Sequence, residues 1–179
     1  MVSSSDIAFW TAAGTWALVI GTLFLMYWQT RQNQQLNSAN AVMTLRERFD
    51  SPRVRVARRH LSDRLIRGAH EDIANLEVAN FFELIGAQTY RKVLDTEMIW
   101  DAFGGWVTSY YWALRHPVDL IGRLRSDLKD PLVFFKFEWL NDRIMAIDRK
   151  RLGAQHTASV EAQEEAMRFL RREAVLDAT

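Results

Sequence analysis

The chain has 179 residues, no cysteine, and 23 Lys+Arg against 22 Asp+Glu, for a net charge of +1. The near balance gives no reason to expect a polyanion as the main partner, and the missing cysteines exclude disulfide frameworks and thiolate zinc sites while fitting a cytoplasmic body. The residues beyond the first thirty are enough to bury one real core.

Ile7 to Trp28, IAFWTAAGTWALVIGTLFLMYW, is 22 residues without a charge. As a helix it is long enough to cross a bilayer. The leader MVSSSD has no Lys or Arg, and YWQTRQN after the run offers no small-x-small cleavage site, so a retained anchor is expected rather than a signal peptide. Trp10 and Trp28 would lie about 27 Å apart, close to the hydrocarbon thickness, as interfacial aromatics do. Arg31, then Arg46 and Arg48, follow the run, and the positive-inside bias places the N-terminus outside and the body in the cytoplasm. Ala13, Ala17 and Gly21 recur every four residues, a small-residue stripe for contact with a second copy. The bland alternative is lipid-facing filler, since small residues are common in spanning helices.

From Gln29 to Asp50 neither Gly nor Pro interrupts a helical spacing of Leu36, Val42, Leu45 and Phe49, which predicts a stalk continuing the anchor. Ser51-Pro52 opens a second helix and Gly68 closes it. Asp72 is placed to cap a third helix reaching about Arg91, and Asp95 a fourth that stops before His116-Pro117. A shorter helix follows. Asp130-Pro131 opens a long helix to Leu152-Gly153, and Thr157 or Ser159 starts a terminal helix with glutamates early and arginines late, as the helix dipole favours. No segment alternates like a strand. The expectation is all-α, divided as tail and transmembrane helix (1–28), stalk (29–50), bundle (51–152) and a C-terminal amphipathic helix (153–179).

The order WQTRQN, LRERFDSPRVRVARRHL, NFFELIG, TEMIWDAFGGWV, YYWAL and DPLVFFKFEWL resembles a bacterial family of single-span membrane proteins known only as a domain of unknown function, over roughly residues 24–150. The resemblance implies a single-pass protein of the bacterial inner membrane. It carries over no catalytic residues, because these motifs are rich in packing aromatics.

Eight arginines lie between Arg46 and Arg67, but on a helical projection Val54, Ala57, Leu61 and Leu65 form one face while Arg55, Arg58 and Arg59 spread around the rest. The reading is a solvated basic face with internal ion pairs, and nucleic acid is disfavoured because aromatics are not interleaved. The third helix has no clear polar side, so Glu83 is expected to be buried and to need a donor such as an arginine, tryptophan or tyrosine side chain. A satisfied structural carboxylate is the stronger reading of it, and an acidic enzyme site the weaker. In the fourth helix Ile99, Trp100, Phe103, Trp106, Val107, Tyr110, Tyr111 and Leu114 form a core face. Trp112 projects opposite them, beside Asp101 and Gly105. Either a neighbouring helix packs there or a protein partner does. Glu138 and the four histidines show no metal-ligand spacing, and nucleotide and nucleophile motifs are missing, so no cofactor is expected.

The leading functional expectation is a non-enzymatic membrane-anchored scaffold or sensor, self-associating or recruiting an unidentified protein. The alternatives are a membrane-acting stress or defence effector that oligomerises through its span, and an enzyme built around Glu83.

Overall fold

The computed structural model describes residues 4–68, 76–116, 119–153 and 159–175, with side chains described outside 4–15, 17, 34–35, 152 and 159–163. Among the described residues seven helices follow in order, α1 (Ser4–Phe49), α2 (Pro52–Arg67), α3 (Glu77–Tyr90), α4 (Thr96–Arg115), α5 (Leu120–Asp127), α6 (Phe135–Leu152) and α7 (Ser159–Glu173). No strand occurs among the described residues. The chain divides into two compact units, Met1–Ala39 and Asn40–Thr179.

In the first unit, Trp16, Leu18, Ile20, Leu23, Phe24, Leu25, Met26, Tyr27 and Trp28 are all exposed. The Thr22 hydroxyl donates to the Leu18 carbonyl at 2.8 Å, satisfying itself within the helix. A Cβ at Gly21 would meet nothing within 4 Å, while the side chains of Ala13 and Ala17 lie outside the described residues. Among the described residues, no helix is long and apolar enough to cross a membrane. The expected span at 7–28 is therefore not found there, and ten of its 22 side chains (7–15 and 17) fall outside the description.

The second unit is built around Phe49, at the end of α1. Its ring lies 5.1 Å from Phe81, 5.5 Å from Phe82, 5.7 Å from Phe103 and 5.4 Å from Trp106, so α1, α3 and α4 meet on one aromatic cluster. Phe137 of α6 joins by stacking on Phe82 at 5.3 Å. Such pairs add about 0.5–1.5 kcal/mol each beyond their buried area. The apolar face of α2 packs inward as its spacing demands, with Val54, Ala57, Leu61 and Leu65 all buried. Helix α7 packs against α2 and α4, contributing buried Phe169 and Leu170.

Several helix ends follow their capping residues. Gly68 closes α2 in the left-handed conformation, Asp95 accepts from the Glu97 and Met98 amides, and Asp119 accepts from Gly122. Two starts differ from expectation. Ser51 stands before α2, but its hydroxyl donates backward to the Arg48 carbonyl at 2.6 Å instead of capping. Helix α6 begins at Phe135, not at Pro131, because the Asp130 carboxylate closes a turn on the Leu132 amide and Phe134 follows at φ 55°. A buried phenylalanine in that left-handed region breaks the helix register. The expected Asp72 cap lies outside the described residues.

Candidate functional site

Three consecutive residues of α4 face three different environments, since each step turns a helix by about 100°. Tyr110 points to α7, Tyr111 to Glu138 on α6, and Trp112 to an open groove.

On the first side, Arg58 of α2 is buried at 3 % exposure and makes a two-pronged bond to Glu173 of α7, Nε to Oε2 at 2.7 Å and Nη2 to Oε1 at 2.8 Å. Its Nη1 donates to the Phe49 carbonyl at 3.3 Å, satisfying the last residue of α1, and the guanidinium lies 4.1 Å over the Phe49 ring. The Tyr110 hydroxyl donates to Glu173 Oε2 at 2.8 Å. Burial disfavours the charged guanidinium, but the hydrogen bond and charge of Glu173 outweigh it and hold Arg58 above its ordinary range. Burial, then the Glu173 charge, push the Tyr110 phenol far above its ordinary value. The fully buried Ser62 hydroxyl stands beside this phenol without completing a hydrogen bond. Arg58 thus makes an internal ion pair of the kind expected for this helix, but it is buried and not part of a solvated face, which corrects that half of the expectation. Arg55 is half-buried and Arg59 exposed.

On the second side, Tyr111 donates to Glu138 Oε1 at 2.9 Å, and Arg125 of α5 donates to Oε2 at 2.7 Å. Arg125 Nε also holds the Val133 carbonyl at 2.9 Å, pinning the turn before α6. Partial burial alone would raise the Glu138 carboxyl, but its bonds to Arg125 and Tyr111 bring it below the usual range. Burial, then the Glu138 interaction, push the Tyr111 phenol up, and burial followed by Glu138 raises Asp142.

Glu83 is half-buried, and its donors are not the side chains expected. It accepts from the Lys136 amide at 3.2 Å and the Phe137 amide at 2.7 Å, capping the first turn of α6 from α3. One turn along α3, Gly86 permits this approach, because a Cβ there would run into the Lys136 backbone carbonyl. The carboxylate is held by two backbone amides, the arrangement of a satisfied structural group. Glu138 is likewise satisfied, and the two carboxylates serve different junctions. No group of three or more His, Asp or Glu suited to a metal occurs among the described residues.

On the third side, α4 borders two adjoining cavities. One of about 240 Å³ is walled by Trp100, Gly104, Gly105 and Trp112 of α4, by Met145 and Asp148 of α6, and by Glu165 of α7. The other, about 450 Å³, is lined by Asp101, Gly105, Trp106, Phe169 and Arg172. Gly105 borders both, and a Cβ there would have nothing within 4 Å. Trp112 is half-buried and stacks on His116 with centroids 4.8 Å apart. Asp101, Gly105 and Trp112, singled out by their projection, thus all line the groove, and neighbouring helices cover part of that face.

A family model described as a domain of unknown function (DUF4760) matches residues 4–144. The chain belongs to that family. The match takes in the whole uncharged run from Ile7 to Trp28 and starts earlier than the expected 24. It ends within α6, so α7 and Glu173 lie beyond it although Arg58 and Tyr110 lie inside. No curated protein and no solved structure matches the chain.

What sequence reasoning missed is the Arg58–Glu173 pair. Two cues existed. Arg58 projects only about 20° from Leu65 at the edge of the apolar face of α2. Glu173 is an acid at the C-terminal end of a helix whose preceding residues, Arg171 and Arg172, suit the dipole better.

Proposed function

We propose that this protein is a membrane-anchored helical interaction module, inserted through residues 7–28 with the N-terminus outside, which self-associates through that segment and offers the α4 groove to a protein partner at the cytoplasmic face. The observation that carries the docking part is that Asp101, Gly105 and Trp112 border two adjoining cavities beside one helix. A half-buried tryptophan at the edge of a groove is the kind of anchor that dominates interface energetics. The anchoring part is supported by the uncharged run in the sequence and by the unbroken series of exposed large apolar side chains from Leu23 to Trp28. Self-association is supported by Gly21, whose missing side chain leaves room for a second backbone.

The test is cross-linking in native membranes with identification of the attached species. Trp112→Ala is expected to lose the partner while the chain stays folded, and retention of both oligomer size and partner overturns the docking face. Gly21→Leu is expected to weaken self-association in a transmembrane reporter, and an unchanged signal overturns that contact.

A further inference from the structure

We propose that the smaller α4 cavity receives the charged end of a lysine or arginine side chain presented by the docking partner. The inference rests on the docking reading and adds the chemistry of the contact.

A volume of about 240 Å³ suits one long side chain, and it falls below the roughly 300–1,000 Å³ of ordinary small-molecule pockets. Among the described residues its wall carries two carboxylates, half-buried Asp148 and exposed Glu165, and no basic side chain. The neighbouring larger cavity differs, because Arg172 lies among its acids. Asp148 Oδ1 accepts the Trp100 indole N–H at 2.6 Å, which fixes the carboxylate while its second oxygen retains accepting capacity. Two indoles complete the wall. The guanidinium of Arg151, held by Glu97 and Asp101, covers one face of the Trp100 ring at 4.3 Å, which leaves Trp112 as the indole open to an incoming cation. Trp112 uses one face against His116, and an indole has a second face for a cation. Half-buried Asp148 attracts an ammonium or guanidinium more strongly than it would in open water, and exposed Glu165 adds a weaker, solvent-screened attraction. Gly105 adds no side chain to the wall, and a Cβ there would meet nothing within 4 Å.

The experiment follows the indole N–H resonance of Trp112 in the 179-residue chain in mild detergent, titrated with acetyl-lysine amide, acetyl-arginine amide, acetyl-norleucine amide and spermidine. The two cationic amides are expected to shift it saturably and the norleucine amide not to. Glu165→Gln should weaken the response about threefold, the loss of one solvent-exposed charge contact. Gly105→Leu should abolish it, on a backbone position where an added Cβ meets nothing within 4 Å. An equal response to norleucine amide, or an unchanged affinity in Glu165→Gln, overturns the inference. Spermidine binding at least tenfold tighter than the amides also overturns it, in favour of a free polyamine. If Trp112→Ala loses the cross-linked partner while no cationic probe binds, the docking reading stands and the cation inference falls. If the probes bind and the partner is indifferent to Trp112, both fall as an account of docking.

Discussion

Adjacent tyrosines on α4 enter two junctions of the same chemistry, each an arginine and a tyrosine sharing one glutamate. In the first, Arg58 and Glu173 have side chains only 4 % and 8 % exposed and come from positions 115 residues apart. In the second, Arg125 and Glu138 are 21 % and 29 % exposed and 13 residues apart. Identical groups therefore do different work. The buried junction ties α7 to α2 and α4 where water cannot replace a lost partner, whereas the half-exposed one fixes a local turn that water can partly support.

That contrast predicts the largest effect. Arg58→Met leaves Glu173 buried without its cation, and breaking such a pair costs about 3–5 kcal/mol. Glu173→Leu alone should cost a similar amount. The double variant Arg58→Met/Glu173→Leu should recover most of either loss, because it removes both desolvated charges together. Thermal and urea unfolding of the three variants checks this. If the double variant is as unstable as the sum of the singles, the junction is not a mutually compensating pair.

The next effect concerns Glu83, whose carboxylate caps α6 across the bundle. Glu83→Ala should destabilise by about 1–2 kcal/mol, the loss of a helix cap, and hydrogen exchange should speed at the Lys136 and Phe137 amides ahead of the rest of α6. Glu83→Gln keeps an acceptor oxygen and should recover part of that protection. Uniform loss of protection along α6 would show that the carboxylate does not act as a cap.

Local structure in this chain was legible wherever a residue's own neighbours determine it. Gly68, Asp95 and Asp119 end or start helices through bonds within a few positions, and the apolar spacing of α2 and α4 names their buried faces. The start of α6 was not legible, because Asp130-Pro131 is a sound helix opening that loses to Phe134, whose ring is buried at the cost of a left-handed backbone. The donors to Glu83 and Glu138 were also hidden, being supplied by a backbone end 53 residues away and by an arginine on a short intervening helix. Of the groove, the α4 wall could be projected from sequence, but Asp148 and Glu165 required knowing which helices lie on either side.

The smallest effect is also the one with the clearest pH signature. Glu138 has its carboxyl lowered in the folded state, so its stabilising contribution is present above the unfolded carboxylate value of about 4.3 and is lost as pH falls through the folded value. Tyr111 has its phenol raised, so its contribution is present below the unfolded value of about 10 and is lost as pH rises toward the folded one. The half-exposed junction should therefore add a plateau of stability between these limits, worth at most about 1 kcal/mol given its contact with solvent. Glu138→Gln should flatten the acid limb of a stability–pH profile and shrink the alkaline limb as well, because part of the Tyr111 shift comes from Glu138, whereas Tyr111→Phe should remove the alkaline limb and keep most of the acid limb, which Arg125 also supports. Tyr110 lies in the buried junction and is also raised, so its phenolate absorbance should appear only as the bundle unfolds. A Tyr111→Phe variant with an unaltered alkaline limb would mean that ionisation at the half-exposed junction is not coupled to folding, and would leave the buried junction as the sole tyrosine-linked lock on α4.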